Sequence, residues 1–249
     1  MFSPIDGFLL PFRGIRLMLQ PGVRPYVVVP LLLNLLIFAL LAGLAVSYFD
    51  DFMGHYLPED SWWSFLRPLV WLVFALAYAF TTFYTFTILA NLIAAPFNGL
   101  LAAKVEQHLT GQAPSGSDVG ILASIAPAVL GELGKLLYLA KWMIPLLLAF
   151  VISSFIPGLN LLVSALWAAF GFWFLAIEYA DYPMGNHDIK PREQRATLAA
   201  RRLHSLGFGA GVSVLMLFLG FVAMPAAVAG ATRFWVQDLQ SANSRLAKK

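Results

Sequence analysis

Gly22, Val23 and Arg24, flanked by Pro21 and Pro25, are the residues best suited to hold a small oxyanion. They open a long apolar run, so flexible backbone and a guanidinium meet at the N-terminus of a helix. Free N–H groups at such a terminus carry partial positive charge, and arginine adds a permanent charge with a fork of donors. The same residues also fit a plainer role, in which Arg24 fixes topology and reaches up to lipid headgroups. Glu106 and His108 follow a Pro-Gly interruption at 96–99, and they face either a polar interior or the cytosol. A charge that avoids lipid inside a membrane protein is costly and often functional.

His187 stands near Asp181 and Asp188, a set that could be drawn as a metal site. Only four histidines are scattered over 249 residues, which favours a solvated or hydrogen-bonded loop histidine, and no metal is expected. Glu178 and Asp181, interleaved with Tyr179 and Tyr182, read as a polar helix end with tyrosine anchors. Catalytic motifs are missing: there is no metalloprotease pair, no Gly-x-Ser-x-Gly and no phosphate-binding glycine loop. No paired residues sit at matching helical spacing, so neither an enzyme nor a cofactor is expected. Cysteine is absent, which excludes disulfides and thiolate chemistry.

The elements that position these residues are membrane helices. The chain is 60% hydrophobic and 12% charged, against roughly half and a quarter in soluble domains. Its apolar mass lies in four uncharged blocks, 25 residues after Arg24, 36 after Arg67, 36 after Lys141 and 30 after Arg202, with His204 titratable in the last. A span needs roughly 20 such residues. Residues 1–24 form an interfacial helix and turn, with Phe8, Phe12, Ile15 and Leu19 on one face. Span 1 covers 25–49 and is an uncleaved anchor rather than a signal peptide. Span 2 covers 68–93 and breaks at 94–99, after which a helix resumes at 100–109 and stops at Gly111.

The block 142–177 holds arms of 14 and 17 residues around Ile156-Pro157-Gly158-Leu159-Asn160, or about 21 and 25 Å of helix. Neither comfortably covers a core of ~30 Å. A re-entrant hairpin fits, with a pair of short tilted spans as the rival. The block 205–235 repeats the theme with a break at Met224-Pro225, leaving Ala226–Thr232 too short to return across. The reading is an all-α integral membrane protein of a single domain, 1–249. It has two long transmembrane helices, two hemi-penetrating hairpins and amphipathic cytoplasmic helices. Paired interrupted segments are the usual pointer to a transport site. Loop 50–67 is acidic, whereas Arg13, Arg16, Arg24 and segment 184–202 are basic, which puts both termini inside. These basic residues are expected to meet anionic lipid rather than nucleic acid.

The strings Gln20-Pro21-Gly22-Val23-Arg24 and Ala94-Ala95-Pro96-Phe97-Asn98-Gly99, with Glu106 and Leu109-Thr110-Gly111, are similar to the CysZ-type sulfate permeases of bacterial inner membranes. So are Ile156-Pro157-Gly158, Asp181-Tyr182-Pro183 with Asn186-His187, and Ala229-Gly230-Ala231-Thr232 with Trp235. The resemblance runs in order over nearly the whole chain. It implies sulfate import into the cytoplasm to feed assimilatory cysteine synthesis, by a homo-oligomer of two or more copies. It places sulfate at Gly22, Val23 and Arg24 and makes Glu106 part of a polar core. Members often carry a second basic residue after the arginine, where this chain has Pro25. No nucleotide-binding motif is present, so ATP-driven transport by this polypeptide alone is excluded. The competing reading is a non-transporting scaffold or an auxiliary subunit of a separate permease.

Overall fold

Ser3 caps the first helix, α1 (Pro4–Met18): its hydroxyl accepts from the Ile5 N–H at 3.2 Å, and Asp6 accepts from the Ser3 N–H at 3.2 Å. This reciprocal box satisfies donors that a helix end otherwise leaves orphaned. The computed structural model describes residues 3–114, 121–156 and 158–246, and side chains for all of these except 83–96, 121–132, 136 and 221. Among the described residues every regular element is helical. Contacts divide the chain into two units, Val28–Ala95 and Met1–Val27 with Pro96–Lys249.

The unit Val28–Ala95 is built from α2 (Pro25–Tyr56) and the first part of α3 (Arg67–Thr110). Phe49 stacks on Phe74 at 3.7 Å and meets Trp71 edge-on at 4.7 Å, which holds the two helices together. Arg67 pairs with Glu59 at 3.2 Å in the connecting loop, beside the exposed, stacked Trp62 and Trp63. The interruption expected at 94–99 does not occur, because α3 runs unbroken from Arg67 to Thr110. A single proline removes one bond of the ladder, and the far end of this helix is pinned by the buried Leu101, Ala102 and Val105. Gly111, at φ +78°, then ends it as the sequence reading expects.

In the other unit, α4 (Ile121–Ser153) and α5 (Leu159–Gly185) form a helical pair turned at Gly158, which adopts φ +84°. Pro157 of that turn lies outside the described residues. Trp167 Nε1 donates to the Leu146 carbonyl at 3.3 Å, and Trp173 Nε1 to Tyr138 Oη at 3.3 Å, so the arms are bonded to each other. Both arms are longer than the uncharged blocks. Leu133–Ser153 and Leu159–Gly185 hold 21 and 27 residues, each long and apolar enough to cross a membrane. Lys135 bonds Glu178 at 3.0 Å and Asp181 at 3.2 Å. Glu178, the charge that seemed to end the second arm, is thus neutralised within the pair. Pro25–Tyr56, Ser64–Thr82 and Arg202–Leu219 are also long and apolar enough to cross.

After α6 (Pro191–Ala199), α7 (Arg202–Leu219) and α8 (Ala223–Phe234) form a second pair. Its turn is Gly220–Val222, with Gly220 at φ +51°, rather than Met224-Pro225. Pro225 falls in the first turn of α8, where a missing N–H costs no helical bond. Beyond α8 the chain continues through a π-helical turn, Trp235–Leu239, into α9 (Gln240–Leu246), so this arm exceeds the seven residues expected of it.

The helix α1 packs against both α7 and α8. Its buried face is Gly7, Leu10, Pro11, Gly14, Leu17 and Met18, one step round from the face expected to be apolar. A Cβ at Gly7 would strike His204, one at Gly211 would strike the Phe8 carbonyl, and one at Gly14 would strike the Ala226 carbonyl. Glycine is required here because backbone lies against backbone. These contacts set a register: α1 runs alongside α7 in the same direction and antiparallel to α8.

Candidate functional site

The turn between α1 and α2 is tied by its own backbone. Val23 N–H and Arg24 N–H both donate to the Gln20 carbonyl, at 2.9 and 2.8 Å, and Tyr26 and Val27 N–H donate to Val23 and Arg24 carbonyls at 3.0 and 3.1 Å. The set of free N–H groups expected at this helix start is therefore mostly occupied. Among the described residues, Gly22 N–H and the Arg24 guanidinium are donors the turn still offers. Gly22 is open, with nothing within 4 Å of where a Cβ would stand. Arg24 is exposed and makes no ion pair among the described residues. Val23 points the other way and is 1% exposed, in the same core as Leu101, Ala102 and Val105. Core packing of Val23 and Val27 thus fixes the turn while its polar side faces out.

Glu106 lies inside. It is 5% exposed, and His187 Nε2 approaches its Oε1 at 2.8 Å. Asn186, next along the chain, donates to the Gly99 carbonyl at 2.9 Å, which binds the end of α5 to α3. The His187 ring stands 5.2 Å from that of Trp235 on the π-helical turn. Glu106 Oε2, Asn98 Nδ2 and Trp235 Nε1 are buried without a hydrogen-bond partner among the described residues. Unpaired buried polar atoms are rare and call for an occupant or a function. His108 is exposed, so the two residues read together in the sequence part company. His187 turns to Glu106 rather than towards Asp181 and Asp188 as a ligand, and no metal-holding group of three acids or histidines occurs among the described residues.

Two further polar centres escaped the sequence reading. Asp238 is fully buried, with Arg201 Nε at 2.6 Å and His204 Nδ1 at 2.8 Å. Lys135 is buried and bridges Glu178 and Asp181, and Asp181 also accepts from Gln194 at 2.8 Å. The π-helical turn is what aims Asp238 and Trp235 inward together, a geometry common at functional sites. Nothing in the local sequence marks a π-turn. The one available signal is an acid, Asp238, isolated in an otherwise basic C-terminal segment.

Comparison with known proteins adds one family and three relatives. Residues 10–225 match the family described as Sulfate transporter CysZ/Etoposide-induced protein 2.4. A Pseudomonas aeruginosa protein named Sulfate transporter CysZ is 42% identical over 232 residues, 91% of this chain and 92% of its own. Proteins of the same name from Pseudomonas syringae pv. tomato and Pectobacterium atrosepticum are 40% and 38% identical, covering 91% and 96% of this chain.

Proposed function

The chain belongs to the Sulfate transporter CysZ/Etoposide-induced protein 2.4 family, and from that premise we propose that it carries sulfate across a membrane. The observation that carries the reading is the near-full-length likeness to proteins named as sulfate transporters. It is a multi-pass helical protein. In this reading α2 and the 68–93 part of α3 cross the bilayer, while 142–177 and 205–235 enter and leave on the cytoplasmic side. The membrane is the bacterial inner membrane, both termini are cytoplasmic, and two or more copies assemble. The imported sulfate supplies cysteine synthesis. No cofactor takes part.

Sulfate meets Gly22, Val23 and Arg24 first. The guanidinium and the Gly22 N–H offer donors to a tetrahedral dianion, with Val23 holding the turn by its buried side chain. Further in, His187 Nε2 lies 2.8 Å from Glu106 Oε1 in the polar core.

Uptake of labelled sulfate into liposomes holding only this chain tests the reading. Flux above empty vesicles is expected, and its absence assigns the chain to the auxiliary or scaffold role. Re-entrance has its own test in cysteines placed at the exposed Phe155 and Phe218, near the two turns. They should resist an impermeant thiol reagent added from the periplasmic side; labelling from that side would make the pairs full spans.

A further inference from the structure

Arg13 and Arg16 stand three residues apart on α1, away from the face that buries Gly7, Leu10, Gly14 and Leu17. Both are exposed, and neither makes an ion pair among the described residues. Their depth follows from the register of α1 against the second helical pair. Phe8 is level with Gly211, Leu10 and Pro11 with Gly230, and Gly14 with Ala226. Continuing one residue for one residue, Arg16 is level with Leu219, and the turn holding Arg24 lies level with Gly220–Val222. That tip is bare and apolar, with Leu217 81% and Phe218 77% exposed. The helix α1 therefore cannot lie flat while the pair inserts, because whatever depth the tip takes, Arg16 and the turn take with it. Guanidiniums at the depth of an apolar tip are tolerated where water reaches them.

We propose that Arg13, Arg16 and Arg24 line a wet anion path along α1, in which the charges of Arg13 and Arg16 raise the concentration of sulfate at the Gly22–Arg24 turn. This rests on the sulfate reading of that turn. The chemistry recognised is a tetrahedral oxyanion, which a lipid phosphate shares with free sulfate.

The test uses the full chain in phosphatidylcholine vesicles and the double variant Arg13→Gln, Arg16→Gln. Two charges about 10 Å from a dianion, screened by salt, alter its local concentration roughly twofold at about 0.15 M ionic strength and about sevenfold near 0.01 M. The KM for sulfate should rise by those factors while the maximal rate stays unchanged, and Arg13→Lys with Arg16→Lys should restore it. Cysteines at 13 and 16, in a chain with no others, should react with a charged, impermeant thiol reagent, and sulfate should slow the reaction. A wild-type KM in the double variant at low salt overturns the proposal, as do cysteines indifferent to the reagent. Sulfate protection that vanishes when phosphatidylglycerol is added assigns the arginines to lipid phosphate and overturns the path. Arg24→Ala separates the two readings. Unchanged sulfate affinity there removes the role of the turn, whereas a loss at Arg24 with none at Arg13 and Arg16 removes the path alone.

Discussion

Asp238→Ala should weaken the fold more than any surface change in the same segment. The carboxylate is fully buried and takes two charge-assisted bonds, 2.6 Å from Arg201 and 2.8 Å from His204. Removing one partner of such a buried pair costs roughly 3–5 kcal/mol. Arg201 keeps 28% of its side chain exposed, so water recovers part of its loss. His204 is 5% exposed and recovers little. The lower end, about 3 kcal/mol, is therefore the expected cost, and for a chain of this size it lowers the midpoint by roughly 6–12 °C. Asp238→Asn keeps shape and one acceptor, and should lose about half as much. The assay is the fraction of monodisperse protein left after heating in detergent, read by fluorescence size exclusion. Adding Arg201→Ala to Asp238→Ala should cost little more, because the shared bond is already gone. A midpoint for Asp238→Ala within about 2 °C of wild type would refute the reasoning that this centre holds α6, α7 and the C-terminal helix together.

Gly209→Ala puts a methyl into the backbone of Phe172 on α5 and should cost about 1–3 kcal/mol, whereas Gly134→Ala, with open space around it, should be neutral or slightly stabilising by the same heating assay. Lys135→Met leaves Glu178 and Asp181 facing each other without their cation. Its yield of folded protein should fall, and adding Glu178→Gln with Asp181→Asn should restore much of it, as measured by size exclusion.

Hydropathy made the membrane helices legible because four uncharged blocks leave no soluble alternative. The two hairpin breaks were legible as turns, the second misplaced because a proline was weighted over a glycine, whereas the break expected at 94–99 is continuous helix. Pro225 sits harmlessly in a first turn, and Gly220 with its positive φ does the bending. Arm length was underestimated for a different reason. Glu178 and Asp181 look like helix-ending charges until their pairing with Lys135 is seen, and pairing across 43 or more residues leaves no local mark. The aromatic face of α1 was legible by its spacing, but Gly7 and Gly14 form the contact surface itself, which apolar spacing does not mark. The turn at Gly22–Arg24 was located from its residue types alone. Its backbone bonds, which consume most of the N–H donors thought free, depend on the exact fold of Gln20 and could not be read off. Glu106, read as facing either a polar interior or the cytosol, is buried, while its partner His187 was read apart from it.

The central claim is that this chain by itself moves sulfate, using the Arg24 turn. The most direct measurement is the initial rate of labelled sulfate uptake into vesicles holding wild type or Arg24→Gln, with protein orientation matched by cysteine labelling. The account predicts saturable uptake by the wild type and an apparent sulfate affinity at least about tenfold weaker in the variant, for the loss of a charge-assisted contact. Equal uptake and affinity in both would contradict it.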